Sequence, residues 1–207
     1  MHTIPINTEE NSLEILGGKG RSLAKMTRSG FRVPDGFIVT ADAYRDFVNK
    51  CGIQEEIIEL AKPDLKNGYP NFEECSKKIQ LIIESNQTPD STRNEIIEAY
   101  EGLSGTALRM AVRSSANAED LPEFSFAGQQ ETFLNISTSA AIIESVHKCW
   151  ASLWTPQAIS YRHQNGIDQS SVAMAVVVQK MIPWEKLKWN LPSYGVHRHN
   201  DRMKILI

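Results

Sequence analysis

Apolar residues along this chain fall into two regimes. Up to about residue 104 they recur at three- and four-residue spacing between Pro-, Gly- and Asn-containing breaks, the spacing of helix faces. In Gly20–Arg28, Leu23 and Met26 share a face, Lys25 and Arg28 occupy the last turn, and Gly30 is placed to end the helix. Phe31–Thr40 predicts a Pro-Asp-Gly turn followed by a strand. Thr40 is the expected cap of a helix over Ala41–Lys50. Further helices are predicted at Gln54–Ala61, Phe72–Ser85 and Ser91–Leu103.

From about residue 105 the pattern turns to short, dense apolar runs. Ala107–Val112 and Glu131–Ile136 read as strands with a polar loop, Arg113–Gln130, between them. Ser137 is the expected cap of a helix whose Ile142, Val146, Cys149, Trp150 and Leu153 form one apolar face. Pro156 suits the first turn of a further helix ending near Gly166. Val172–Val178 is an unbroken apolar run, the mark of a buried strand. The pattern is α/β or α+β: a helical first lobe over 1–104, a sheet-containing second lobe over 105–182, and an atypical tail over 183–207. The tail shows no clear period and reads either as an extension or as sequence out of frame. A sheet cut short there is expected to leave Val172–Val178 as an exposed edge.

Composition narrows the class without naming a chemistry. With 41% hydrophobic and 23% charged residues, the chain has the make-up of an ordinary globular protein. A net charge of −3, with 22 Lys and Arg dispersed along the sequence, argues against a nucleic-acid face. No apolar run is long enough to span a membrane, and the first residues lack the pattern of a secretory signal. Three widely spaced cysteines, Cys51, Cys75 and Cys149, fit reduced thiols, so a cytoplasmic location is expected. The histidines form no metal pattern, and His147 and His163 read as surface residues.

Three stretches carry candidate chemistry. Gly17-Gly18-Lys19-Gly20 is not a P-loop, because no Ser or Thr follows the lysine. Glycines admit a close backbone approach, and the unpaired N–H groups at a helix start favour anions. A lysine there is a compact charge for a phosphate oxygen, or a surface lysine in a turn; spacing alone leaves both open. Arg113-Ser114-Ser115 ends a predicted strand, where a forked guanidinium can hold phosphate or merely join a surface ion pair. Ser125–Gln130 is a small-residue loop that can fold over a ligand or turn the chain. Gln179, at the end of an apolar strand, can both donate and accept, as a purine edge requires.

Taken together, GGKGRSLAKMTRSGFRVPDGFIVT, AVRSSANAEDLPEFSFAGQQETFLNI, CWASLWTPQAISYR and SVAMAVVVQKM resemble one family. It is the N-terminal ATP-binding domain of the phosphoenolpyruvate synthase and pyruvate phosphate dikinase family, of which rifampicin phosphotransferase is a close relative. The likeness covers about Gly17 to Met181, and GQQET leans towards the synthase. It implies an α+β, ATP-grasp-like, two-lobed nucleotide-binding fold, truncated at its C-terminal side.

The implied function is to bind ATP for phosphorylation of a carrier histidine on the way to pyruvate. The alternatives are a non-catalytic nucleotide-binding or interaction module and a rifampicin phosphotransferase-like enzyme. The resemblance puts Lys19 and Arg113 on the ATP phosphates as the catalytic cations. Gly17, Gly18, Ser114, Ser125, Gly128, Gln129 and Gln179 complete the implied nucleotide site, with Gln179 beside adenine and the Ser125–Gln129 loop as a cover. ATP and Mg²⁺ are the implied cofactors, the metal ligands being expected in the missing C-terminal part. The carrier-histidine and pyruvate-binding domains are absent from this sequence, so the chain alone is expected to be inactive.

Overall fold

In a computed structural model describing residues 1–66, 69–103, 109–116 and 131–182, the valine-rich run becomes β7 (Met174–Lys180), the middle strand of a five-stranded sheet. Its neighbours are β2 (Gly36–Val39) and β5 (Met110–Ala116). Outside them lie β1 (Thr3–Pro5) and β6 (Thr132–Ile136), and every pairing is antiparallel. This corrects the expected exposed edge: Val177 lies opposite Ile38 on one side and Arg113 on the other. An uninterrupted apolar run is what a strand needs when both its faces are covered. Two of the five strands come from the chain before residue 104 and three from after it. A separate pair joins β3 (Asp64–Lys66) to β4 (Tyr69–Asn71), neither of which the apolar pattern predicts.

The helices are α1 (Leu13–Arg28), α2 (Ala41–Lys50), α3 (Gln54–Leu60), α4 (Glu73–Ser85), α5 (Asp90–Glu101), α6 (Ser139–Ala151) and α7 (Pro156–Gln164). Side-chain caps set several starts. The hydroxyl oxygens of Thr40 and Thr155 each accept from a backbone N–H three residues on, at 3.3 Å. The cap of α6 is Thr138 rather than Ser137, its oxygen accepting from the Ala141 N–H at 3.2 Å. At the other end of α1, Gly30 takes the left-handed φ of 82° expected just past a helix.

Strand alternation divides the sheet into two faces. Register places Ile4, Ile38, Val177, Arg113 and Thr132 in one row across all five strands, on the face that α1 covers. There Leu16, Leu23 and Ala24 of the helix pack on Ile38, Ala175 and Val177. The opposite face, with Phe37, Val39, Val112, Val176 and Val178, meets the larger core, which includes Phe47, Ile79, Trp150 and Trp154. Burying each such side chain contributes about 1.5–3 kcal/mol, so the two-sided sheet anchors the fold.

The predicted stripe of α6 is buried: Ile142, Val146, Cys149 and Trp150 are each 0% exposed. His147 corrects its expected surface placement. It is buried, its Nε2 lies 2.7 Å from the Thr88 hydroxyl, and its ring stacks on Trp150. Because α4 and α5 both pack on α6, more than one stripe of that helix is covered. Among the described residues no helix is long and apolar enough to cross a membrane.

Candidate functional site

The glycine-rich stretch lies inside α1, which bends at Gly17 with φ 66° and ψ 173°. The bend divides the helix, so Lys19 stands in the first turn of the longer second segment. At the bend the chain presses on the end of β5: a Cβ added to Gly17 would fall 2.0 Å from the carbonyl oxygen of Ser115. No side chain fits at that separation. Gly20 packs against the sheet less tightly, a Cβ there falling 3.1 Å from Cδ1 of Ile38. Gly17 therefore has a packing reason that the sequence pattern did not suggest: it lets a helix start lie directly on a strand.

Ser115 closes the junction. Its hydroxyl donates to the carbonyl oxygen of Leu16 at 3.0 Å and accepts from the N–H of Gly20 at 3.1 Å. The side chain is fully buried. One of the N–H groups expected to be open at the helix start is thus taken by a strand hydroxyl acting as a distant cap. Beside it the Lys19 ammonium donates to the carbonyl oxygen of Ser114 at 2.7 Å. Arg113, one residue earlier on β5, faces the α1 side with Ser115 and is half-buried.

Ser114 points the other way, opposite Val176 on the large-core face, and its hydroxyl makes a long 3.5 Å bond to the Glu131 carbonyl oxygen. Its backbone, not its hydroxyl, meets the lysine. Ser115 is the residue sequence reasoning undervalued. The available signal was the two-residue period of a strand, which puts Arg113 and Ser115 on one face and Ser114 on the other.

Gln179 shares the α1 face, opposite Ala111 and Gly36, and is buried. Its Nε2 donates to the Pro34 carbonyl oxygen at 3.2 Å, tying β7 to the turn before β2. Gly17, Gly18 and Lys19 thus meet the end of β5 that carries Arg113, while Gln179 lies on the same face of the sheet further along β7, opposite Ala111. Ser125, Gly128 and Gln129 lie outside the described residues.

Burial pushes the nearby Cys149 thiol far up, Glu131 adds to that rise and Lys19 opposes it, so the thiol stays protonated and is no nucleophile. Among the described residues no group of three or more His, Cys, Asp or Glu converges as a metal site. Two cationic side chains on one face of the sheet suit an anionic ligand, a phosphate ester being one such molecule.

Comparison with known proteins agrees with that chemistry. A family model described as pyruvate phosphate dikinase, AMP/ATP-binding domain, matches residues 13–203. A probable phosphoenolpyruvate synthase of Methanocaldococcus jannaschii is 47% identical over 84% of this chain and 15% of its own length. One of Archaeoglobus fulgidus is 44% identical over 87% of this chain and 24% of its own length. A rifampicin phosphotransferase of Streptomyces sviceus is 43% identical over 84% of this chain and 20% of its own length. The chain spans less than a quarter of the length of each of these three relatives.

Proposed function

The chain belongs to the pyruvate phosphate dikinase AMP/ATP-binding domain family, and from that premise we propose that its two convergent cations hold the triphosphate of ATP for a phosphoenolpyruvate synthase-like phosphotransferase. In this reading the Lys19 ammonium and the Arg113 guanidinium neutralise phosphate oxygens as charge shifts along the chain of phosphates. Gly17, Gly18 and Ser114 supply the backbone beside them, and Gln179 stands by the adenine. The loop Ser125–Gln129 covers the phosphates, and the lobes clasp ATP in ATP-grasp fashion. The phosphoryl group then passes to a carrier histidine and onward to pyruvate, acceptors assigned here to parts of the relatives that the chain does not span.

One observation carries this reading. The Lys19 ammonium is held 2.7 Å from the carbonyl oxygen of the residue that follows Arg113, which supports two cations distant in sequence serving one ligand. Relatives named for different acceptors match this segment almost equally, at 44% and 43% identity, which fits nucleotide binding as its contribution. Magnesium, the usual companion of ATP, finds no matching set among the described residues, and no step of the proposal runs through it.

Calorimetric titration of ATP into the 207-residue chain tests the proposal. The parent binds, while Lys19→Ala and Arg113→Ala each weaken ATP by about tenfold or more. Unchanged ATP affinity in both variants would overturn the assignment.

A further inference from the structure

The bond network around the α1 bend reaches beyond the two cations. We propose that Ser115 is a positioning residue for the Lys19 ammonium, fixing the bend at Gly17 against β5 so that the cation stands where the triphosphate arrives; this rests on the reading of Lys19 given above. Ser115 touches neither Lys19 nor a ligand in this account. It acts through the backbone.

At Gly17 the regular helix ladder is interrupted, because the φ of 66° turns the chain out of the helical region. Groups near such a break lose their helical partners and need others. The Leu16 carbonyl stands before the bend and the Gly20 N–H after it, and both are taken by the one hydroxyl of Ser115. A single side chain therefore binds the two helical segments to each other and to the strand. Lys19 lies between those two bonded positions, so its Cα cannot shift without breaking one of them. The Ser115 hydroxyl is fully buried, so water does not readily replace it when it is removed. The contact is also sterically one-sided: Gly17 has no side chain to hold the two backbones apart, and the Ser115 carbonyl fills the space a Cβ would occupy. Without the hydroxyl, nothing else in the described contacts of Ser115 ties Gly20 to β5.

A misplacement of about 1 Å in a charged group that meets a phosphate is enough to lose much of its contribution. The expected signature is selective. Loss of the hydroxyl weakens ligands that carry the triphosphate and spares those that do not, because Gln179 and Pro34 lie at another part of the face.

The test compares ATP and adenosine binding by calorimetry in the full chain carrying Ser115→Ala, Ser115→Thr or Lys19→Ala, with circular dichroism reporting the fold. Ser115→Ala is expected to weaken ATP about tenfold and leave adenosine within about twofold, while Ser115→Thr, which keeps the hydroxyl, stays near the parent. If Ser115→Ala does not fold, Ser115→Cys, of similar volume and poor hydrogen bonding, carries the same expectation. The inference is overturned if the hydroxyl-free variant binds ATP like the parent while Lys19→Ala does not. Equal losses for ATP and adenosine, or an equal loss in Ser115→Thr, overturn it as well. Parent-like ATP binding in Lys19→Ala removes the underlying reading and the inference with it.

Discussion

Lys19 and Ser114, 95 positions apart in the chain, are joined by a 2.7 Å hydrogen bond from the lysine ammonium to the serine carbonyl oxygen. The bond brings the glycine-framed lysine to the strand that carries Arg113.

Lys19→Met keeps most of the stem and removes the charge. ATP affinity is expected to fall about tenfold or more while stability falls by no more than about 1.5–3 kcal/mol, the net worth of a hydrogen bond made by a charged group. Calorimetry and urea unfolding of the same preparation separate the two effects. A large midpoint shift with ATP affinity intact would make the lysine structural.

Gly17→Ala and Gly30→Ala share a backbone difficulty and differ in space. Both glycines have a left-handed φ, 66° and 82°, but an added Cβ meets the Ser115 carbonyl at 2.0 Å at Gly17 and nothing within 4 Å at Gly30. Alanine at Gly30 is expected to cost about 1 kcal/mol, the left-handed penalty alone. At Gly17 the clash with backbone raises the loss to about 3 kcal/mol or more, or abolishes folding. Equal urea midpoints for the two variants would contradict this contrast.

Tyr44→Phe is predicted to be costly despite its small change in shape. The Tyr44 hydroxyl accepts from the Trp154 indole N–H at 2.9 Å, and both residues are buried. Burial pushes the phenol up to about 12, so the hydroxyl is neutral and acts only through hydrogen bonds. Its removal leaves the indole N–H without a partner in the core and is expected to destabilise by about 1–3 kcal/mol. Thermal or urea unfolding reads the loss, and a change under about 0.3 kcal/mol would refute it.

Acid is expected to weaken the fold in two windows. Burial holds the His147 imidazole below its ordinary value of 6.5, outweighing a bond to the Glu84 backbone. The unfolded chain therefore binds more protons as pH falls, and stability present above about 6.5 is lost on falling through the lower folded value. Glu95 acts in stronger acid. Burial alone would raise its carboxyl, but backbone N–H bonds from His2 and Thr3 and the charge of His2 outweigh that and bring it below 4.5. Its contribution is present above that value and lost as pH falls through the lower folded one. Urea midpoints measured between pH 7.5 and pH 5 test the first window: His147→Gln is expected to flatten the slope, and an unchanged slope would exclude the histidine.

Local physics was legible from the chain. The α2 helix spans Ala41–Lys50 with Thr40 as its cap, and the α6 stripe of Ile142, Val146, Cys149 and Trp150 is buried, all as the pattern predicts. Helical spacing and capping depend on residues within three or four positions, so they leave a readable trace. The glycine-framed lysine and the four long motifs likewise pointed to the family without coordinates. Even the cap of α6 was missed by only one position, at Thr138.

What the chain alone decided, then, is where most of the helices lie and which face of each is apolar, because neighbours in sequence settle those. Tertiary structure decided which strand stands in the middle, that Thr3–Pro5 joins the sheet, that His147 is interior, and that Ser115 rather than Ser114 clasps the bend at Gly17. Each of these depends on partners tens of residues away, and a strand's own alternation names its two faces without saying what will cover either.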